Sequence, residues 1–213
     1  MNNANYIIRL EEPKDYAEAE KLTREAFWNV YHPGCMEHFV LHKFRDDPDF
    51  VPELDLVLEQ DGRLIGHVMF AKAHIKADDG REVPILTFGP ISIAPEKQRQ
   101  GFGKRLLDDA LDRAQRMGFG AVAMTGNIRF YGNCGFVVAS TKGIRYAEAE
   151  PGDDVVPYFL LRELQDGFLA GVTGSFREPE GYFVCQRFPE EFERYEAGFP
   201  AKEARVRPGQ LNH

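Results

Sequence analysis

Basic residues are in the minority: 26 lysines and arginines stand against 34 aspartates and glutamates, a formal net charge of −8. Nucleic-acid binding needs clustered Lys and Arg to replace counterions on phosphates, so this balance argues against it and favours neutral or cationic partners. Cysteine is equally scarce. Cys35, Cys134 and Cys185 are widely scattered, odd in number, and lack CxxC spacing or a histidine ligand pattern beside them. That excludes a disulfide scaffold and a zinc module, and reads as reduced thiols of the cytoplasm. Long apolar runs are missing too: the longest uncharged stretch, Val83 to Pro95, is broken by prolines and a glycine and falls short of the roughly 20 residues of a helical membrane span. The polar opening Met1-Asn2-Asn3-Ala4-Asn5 has neither the basic nor the apolar stretch of a signal peptide. There is no internal repeat and no low-complexity tract.

What is present is an ordinary globular composition, 43% hydrophobic and 28% charged over 213 residues, enough for one domain with an appended part. Tyr6 to Leu10 reads as a strand. Pro13-Lys14-Asp15 opens an amphipathic helix with Ala19, Leu22, Thr23 and Ala26 on one face, and a second helix runs from Cys35 to about Arg45. Asp61-Gly62 between two apolar runs predicts a hairpin, and the apolar run Pro84 to Ile93 a central strand in which Pro90 removes a ladder donor. Leu106, Leu107, Ala110, Leu111 and Ala114 mark a helix from Gly103 to Met117, capped by Gly118. A short buried strand at Ala121 to Met124, a helical turn at Ile128 to Cys134 and a strand at Gly135 to Val138 follow. Strand, helix and strand at this spacing imply a parallel pair with a crossover helix, hence an α/β (α+β) fold with a mixed central sheet. Beyond Ser140 the pattern predicts a helix over Val156 to Phe168, a glycine-rich strand region over Gly171 to Val184, an acidic helix over Pro189 to Glu196, and a tail from Lys202. Most of the charge imbalance falls from Glu148 onwards, which hints at a second structural unit.

The chemistry is concentrated in Ile91-Ser92-Ile93-Ala94-Pro95-Glu96-Lys97-Gln98-Arg99-Gln100-Gly101-Phe102-Gly103-Lys104-Arg105, a strand, a polar glycine loop and a helix start. Amides at a helix N-terminus point outward together, the dipole adds positive potential, and glycine lets an anion approach the backbone, so such a loop suits a diphosphate. A P-loop would need a glycine where Gln98 stands and a hydroxyl where Arg105 stands; a dinucleotide fingerprint would need a glycine at Leu106 and a different order of elements.

Gln98-Arg99-Gln100-Gly101-Phe102-Gly103 instead resembles the Q/R-x-x-G-x-G/A signature with which GNAT-superfamily N-acetyltransferases hold the pyrophosphate of acetyl-CoA. The resemblance covers about residues 6–140 and includes Phe130-Tyr131-Gly132-Asn133-Cys134-Gly135-Phe136 as the closing element. It implies a GNAT-like sheet with splayed parallel strands flanked by helices. It further implies that the backbone of Ile91, Ser92 and Ile93 pairs with the pantetheine arm. Residues Gln98, Arg99, Gln100, Gly101, Phe102, Gly103 and Lys104 would surround the diphosphate, and Asn127 would face the thiol end. Tyr131 stands where many members carry a tyrosine that protonates the departing thiolate, a role suited to a phenol with a pKa near 10.

The acceptor side is less defined. In this superfamily the first two helices wall the acceptor site, which makes Trp28, Tyr31 and His32 candidates for an aromatic pocket; Glu37, His38, Glu53 and His67 are the candidate bases, and no spacing selects among them. The expectation is a cytoplasmic N-acetyltransferase that moves an acetyl group from acetyl-CoA to a primary amine of a small molecule by direct transfer in a ternary complex, with no metal, no nucleic acid and no membrane. The rivals are a CoA-binding sensor or inactive homologue, and a transferase using a different acyl-CoA. Residues 1–140 are taken as the acetyltransferase domain. Residues 141–213 are taken as an extension that completes the sheet, covers the acceptor site or forms a homodimer surface.

Overall fold

The computed structural model describes residues 6–149, 152–153 and 155–210; the polar opening Met1 to Asn5 and the last three residues of the tail lie outside them. In chain order the elements are β1 (Tyr6–Leu10), α1 (Tyr16–Phe27), α2 (Glu37–Phe44), β2 (Leu56–Gln60), β3 (Arg63–Ala77), β4 (Glu82–Ile93), α3 (Phe102–Arg116), β5 (Ala121–Thr125) and α4 (Ile128–Tyr131). There follow β6 (Val137–Val138), β7 (Ile144–Tyr146), β8 (Phe159–Glu163), β9 (Gly174–Phe176), α5 (Val184–Arg187) and α6 (Pro189–Glu196). Two compact units interleave along this order. The first takes in the chain up to Met69, Pro90–Leu106 and the chain from Glu180; the second takes in Phe70–Gly89 and Leu107–Pro179.

In the first unit β1 pairs antiparallel with β2, Tyr6 opposite Gln60, and β2 with β3, Leu56 opposite Val68. Asp61 and Gly62 make the β2–β3 turn with both φ angles positive, 51° and 76°, the left-handed pair that a two-residue hairpin requires. Ala19 and Leu22 of α1 and Phe39, Leu41 and Phe44 of α2 are buried, as their spacing demands. The late helix α6 joins this layer through charge: Arg24, 2% exposed, gives its Nε to both Glu196 oxygens at 3.1 Å, and His38 Nε2 lies 2.8 Å from Glu196 Oε2. The tail continues over the end of α1, where Trp28 Nε1 and Asn29 Nδ2 donate to the Glu203 carbonyl at 3.1 and 3.2 Å.

In the second unit β4 and β5 run parallel with Leu86 opposite Val122, and β5 pairs antiparallel with β8, Ala121 opposite Glu163. Strand β6 pairs with the other side of β8, while β9 pairs with the end of β3, Ile75 opposite Phe176, and carries β7 parallel to it. Ile75, Ile85, Ala123, Phe159, Leu161 and Phe176 form the core of this unit. One expectation fails here: Val156 to Phe168 is not a helix. Its Phe159-Leu160-Leu161 run is strand β8, because the β5 backbone offers it a complete antiparallel partner and both faces are covered.

Gly174 marks the tightest crossing. A Cβ there would lie 2.4 Å from the Lys76 carbonyl oxygen and 2.8 Å from Ala77 Cα, both backbone atoms of the paired strand. Gly174→Ala is therefore expected to destabilise the protein by about 2 kcal/mol, the usual scale of overpacking, seen as a lowered denaturation midpoint. A midpoint equal to or above wild type would contradict this reading.

Candidate active site

The glycine loop forms in the first unit. Strand β4 ends at Ile93, and the chain then passes through a single 3-10 turn, Pro95–Lys97, into α3. Gln98 braces the turn from inside by donating its Nε2 to the Ile93 carbonyl at 3.1 Å, and Gln100 Nε2 does the same to Glu96 O at 2.9 Å. Arg99 and Gly101 both lie in the left-handed region, φ 59° and 86°. The first backbone hydrogen bond of α3 runs from Arg105 N to Gly101 O at 3.2 Å, so the amides ahead of it are directed along the axis out of the helix end.

No acidic residue occupies the first turn of α3, and Lys97, Arg99, Lys104 and Arg105 surround it. A Cβ at Gly101 would meet nothing within 4 Å. Open backbone, convergent amides and basic side chains at the helix start fit a diphosphate. Of the predicted loop residues, Gln98, Arg99, Gln100, Gly101 and Lys104 are exposed, while the Phe102 ring turns inward, edge-on to Tyr6 at 5.9 Å, and leaves only its backbone to the loop. Ile91 and Ile93 are half-buried. Ser92 is buried with its hydroxyl donating to Thr23 Oγ1 at 2.9 Å, so only its backbone can pair with a ligand.

Asn127 and Tyr131 sit together in the second unit on α4. Asn127 is its N-cap, accepting from Arg129 N at 3.0 Å, which turns the exposed side chain toward the helix start. The half-buried Tyr131 ring is clasped edge-on by Phe88 at 5.8 Å, Phe130 at 4.8 Å and Phe136 at 5.9 Å. Gly126 makes room for it: a Cβ there would lie 2.4 Å from Tyr131 Cε2. Cys134, beside it in sequence, is buried.

Residues 15–136 match the model of the acetyltransferase (GNAT) family. The chain belongs to this family. It is 27% identical over 168 residues to the N-acetyltransferase YhbS of Escherichia coli K12, covering 79% of this chain and 93% of YhbS. The crystal structure of Escherichia coli YhbS in complex with CoA superposes with a TM-score of 0.72 at 26% identity, covering 85% of this chain and 94% of that one. A GNAT acetyltransferase of Brucella melitensis in complex with acetyl-CoA shares the fold with a TM-score of 0.66 at 22% identity, covering 84% and 99%. The protein is thus a GNAT N-acetyltransferase with the mixed sheet of that fold.

The acceptor-side candidates of this GNAT enzyme are in the first unit. Trp28 is already covered: the Arg24 guanidinium lies 4.2 Å over its ring, Lys202 Nζ 5.0 Å from it, and its indole N–H is bound to Glu203 O. Tyr31 is 43% exposed against Phe27, and beside it His32 Nε2 lies 3.7 Å from Glu37 Oε2. Glu37 also accepts from Met36 N at 3.0 Å and Cys35 Sγ at 3.2 Å; its hydrogen bond with His32 lowers its pKa against the burial that opposes ionisation, and raises that of His32. His38 is wholly buried among Tyr195, Phe192 and Phe199, and burial drives its pKa down to about 4. Glu53 is exposed on a 3-10 turn.

His67 belongs to a buried charge cluster that sequence reading did not assemble, because its members come from five separate segments. His67 Nε2 lies 2.8 Å from Asp55 Oδ1 and 3.7 Å from Glu11 Oε1. Arg45 forks onto Glu11 with two contacts of 3.0 Å, pairs with Glu20 as well, and stacks on Tyr16 at 3.9 Å. Ligand atoms of Glu11, Asp55 and His67 lie within 4.8 Å of one another, and the Arg45 guanidinium supplies the positive charge among them. Burial pushes the Glu11 carboxyl up to about 7 and Asp55 up to about 6, and drives His67 down to about 4.

A carboxyl with a raised pKa binds its proton more tightly in the folded chain. The stability Glu11 contributes is therefore full below about pH 4.5 and is lost as pH rises through 7, while His67 contributes the opposite slope between about pH 4 and 6.5. Glu11→Gln removes the first slope, and also the Glu11 charge that acts on His67. Its melting temperature relative to wild type is expected to climb between pH 5 and pH 8, and a flat or falling difference would show that Glu11 does not hold a proton in the folded chain.

Proposed function

We propose that this enzyme transfers the acetyl group of acetyl-CoA directly to a primary amine of a small molecule, in a ternary complex and in the cytoplasm. The observation that carries the reading is the cradle at Gln98–Lys104: two left-handed residues ahead of a 15-residue helix whose first turn holds no acid. In this reading the amides from Arg99 to Lys104 bind the diphosphate, Gln98 and Gln100 hold the loop shape, and the backbone of Ile91, Ser92 and Ile93 pairs with the pantetheine arm. Asn127 faces the thioester. The family resemblance supports these assignments, as does the exposure of the loop.

The transfer needs an uncharged amine. Its nitrogen attacks the thioester carbonyl carbon, the carbon–sulfur bond breaks, the amine gives up one proton, and the sulfur gains one. Tyr131 O–H supplies the proton to sulfur and is restored from solvent. Three aromatic rings around Tyr131 fix the direction of its hydroxyl, which is what a donor acting at one atom requires. The buried cysteines Cys35, Cys134 and Cys185 support a reducing compartment and leave no exposed thiol for a covalent acyl-enzyme among the described residues.

Calorimetric titration with acetyl-CoA and with CoA, followed by thiol release across a panel of amines, tests the reading. Tyr131→Phe is expected to keep acetyl-CoA affinity and lose about 10²- to 10⁴-fold in kcat, the usual worth of one proton donor. Gly101→Glu is expected to weaken CoA binding at least about tenfold while the protein stays folded, since its side chain meets no atom within 4 Å and a non-glycine residue at its positive φ costs only about 1–2 kcal/mol. Binding without thiol release would favour a CoA sensor, and release from a longer acyl-CoA alone would change the donor. Normal CoA binding by folded Gly101→Glu would overturn the cradle assignment.

A further inference from the structure

Glycine inside a strand gives up side-chain packing, so its presence there points either to an unusual backbone conformation or to a close approach. Gly66 of β3 is not in the left-handed region, which leaves the close approach. A Cβ at Gly66 would lie 2.8 Å from Ile93 Cδ1 and 3.3 Å from both Leu106 Cδ2 and Leu58 Cβ, whereas packed carbons sit about 3.5–4.0 Å apart. Leu58 is the partner of Gly66 across the β2–β3 hairpin. The other two come from the two ends of the glycine loop: Ile93 is the last residue of β4, and Leu106, wholly buried, lies one turn into α3 on the same face as the buried Phe102.

The backbone is held at the same spot. Between the pairs Leu58–Gly66 and Glu59–Leu64, β3 carries one residue more than β2, so Ile65 is bulged, and its carbonyl accepts the Ala94 N–H at 2.9 Å. Gln98 closes on the Ile93 carbonyl at 3.1 Å. Ile93 is thus fixed at three points: its carbonyl, the amide that follows it, and a side chain seated in the hollow at Gly66.

We infer that Gly66 is a positioning residue for CoA: the hollow left by its missing side chain seats Ile93 and Leu106 together and so sets the spacing of the two ends of the diphosphate loop. It acts through those two residues, not by contact with the ligand. The amides ahead of α3 converge only while the strand end and the helix start keep that spacing, and a methyl group in the hollow pushes on both. The inference rests on the cradle reading of Gln98–Lys104 and adds to it a residue from another strand.

The test is a double-mutant cycle in the full chain, with CoA binding read by calorimetry on folded protein. Gly66→Ala is expected to raise the CoA Kd at least about fivefold. Ile93→Val deletes Cδ1, the atom the new methyl would strike, so in an Ile93→Val background the same Gly66→Ala change should raise Kd less than about twofold. In turnover the Gly66→Ala loss should fall on KM for acetyl-CoA and not on kcat; a loss of packing alone would lower the melting temperature and leave both Kd and KM in place. Wild-type CoA affinity in folded Gly66→Ala, or a loss that Ile93→Val does not relieve, overturns the inference. If Gly66→Ala does not fold by itself, the double variant decides: it is expected to fold and to bind CoA as Ile93→Val does, and failure in either respect overturns the inference too. Gly101→Glu separates the two readings. If it loses CoA while Gly66→Ala binds normally, the cradle stands and Gly66 has no part in it; if it binds CoA normally, the cradle and the positioning role fall together.

Discussion

A loop that binds a diphosphate through its backbone must make successive amides converge, and a chain of L-residues does so by entering left-handed conformations. Here Arg99 and Gly101 take that conformation on either side of Gln100, and everything else in the loop serves to keep it. For Gly101 the cost is entropic; for Arg99 it is about 1 kcal/mol of steric strain. The two glutamine side chains offset it by closing on the backbone at Ile93 and Glu96. The buried Phe102 ring anchors the first residue of α3 against Tyr6, so the helix cannot retract from the loop. The motif therefore combines two kinds of residue: those whose backbone is left open at the helix end, and those that hold that backbone in place with their side chains.

The first unit shows a second constraint, buried charge. Arg45 and Arg24 are each sunk among carboxylates, Arg45 with Glu11 and Glu20, Arg24 with Glu196. Replacing one partner would leave an uncompensated charge in a dry site, which is why such groups tie segments distant in sequence to one another more strictly than apolar contacts do. Arg24 and His38 fix α6 through Glu196, and Arg45 joins the end of α2 to the residue after β1. The same desolvation leaves Glu11 and Asp55 sharing fewer charges than their number implies, with pKa values of about 7 and 6.

Much of this was legible in the sequence, and the legible part has a common physical character. Periodicity gave α1, α2 and α3 with their buried faces, and Asp61-Gly62 gave the hairpin, because each depends on residues within one or two turns of chain. The strand, glycine loop and helix start were legible for the same reason: their glycines, glutamines and apolar residues are contiguous. The failure at Val156 to Phe168 is instructive. Val156, Phe159, Leu160 and Leu164 satisfy a helical stripe, yet the segment is a strand because β5 and β6 flank it, a fact located some thirty residues upstream.

The hydrogen-bonded Tyr146–Glu178 group was hidden for that reason too. Tyr146 comes from β7, Tyr158 from the approach to β8 and Glu178 from the turn after β9; no spacing connects them, and only the pairings β7 with β9 and β5 with β8 bring them to one place. A diphosphate offers the same charge and shape to every enzyme that uses it, so a single local segment suffices and its letters can recur. The contiguous glycine loop is thus written along the chain, while groups such as Tyr146 with Glu178 are written across the sheet.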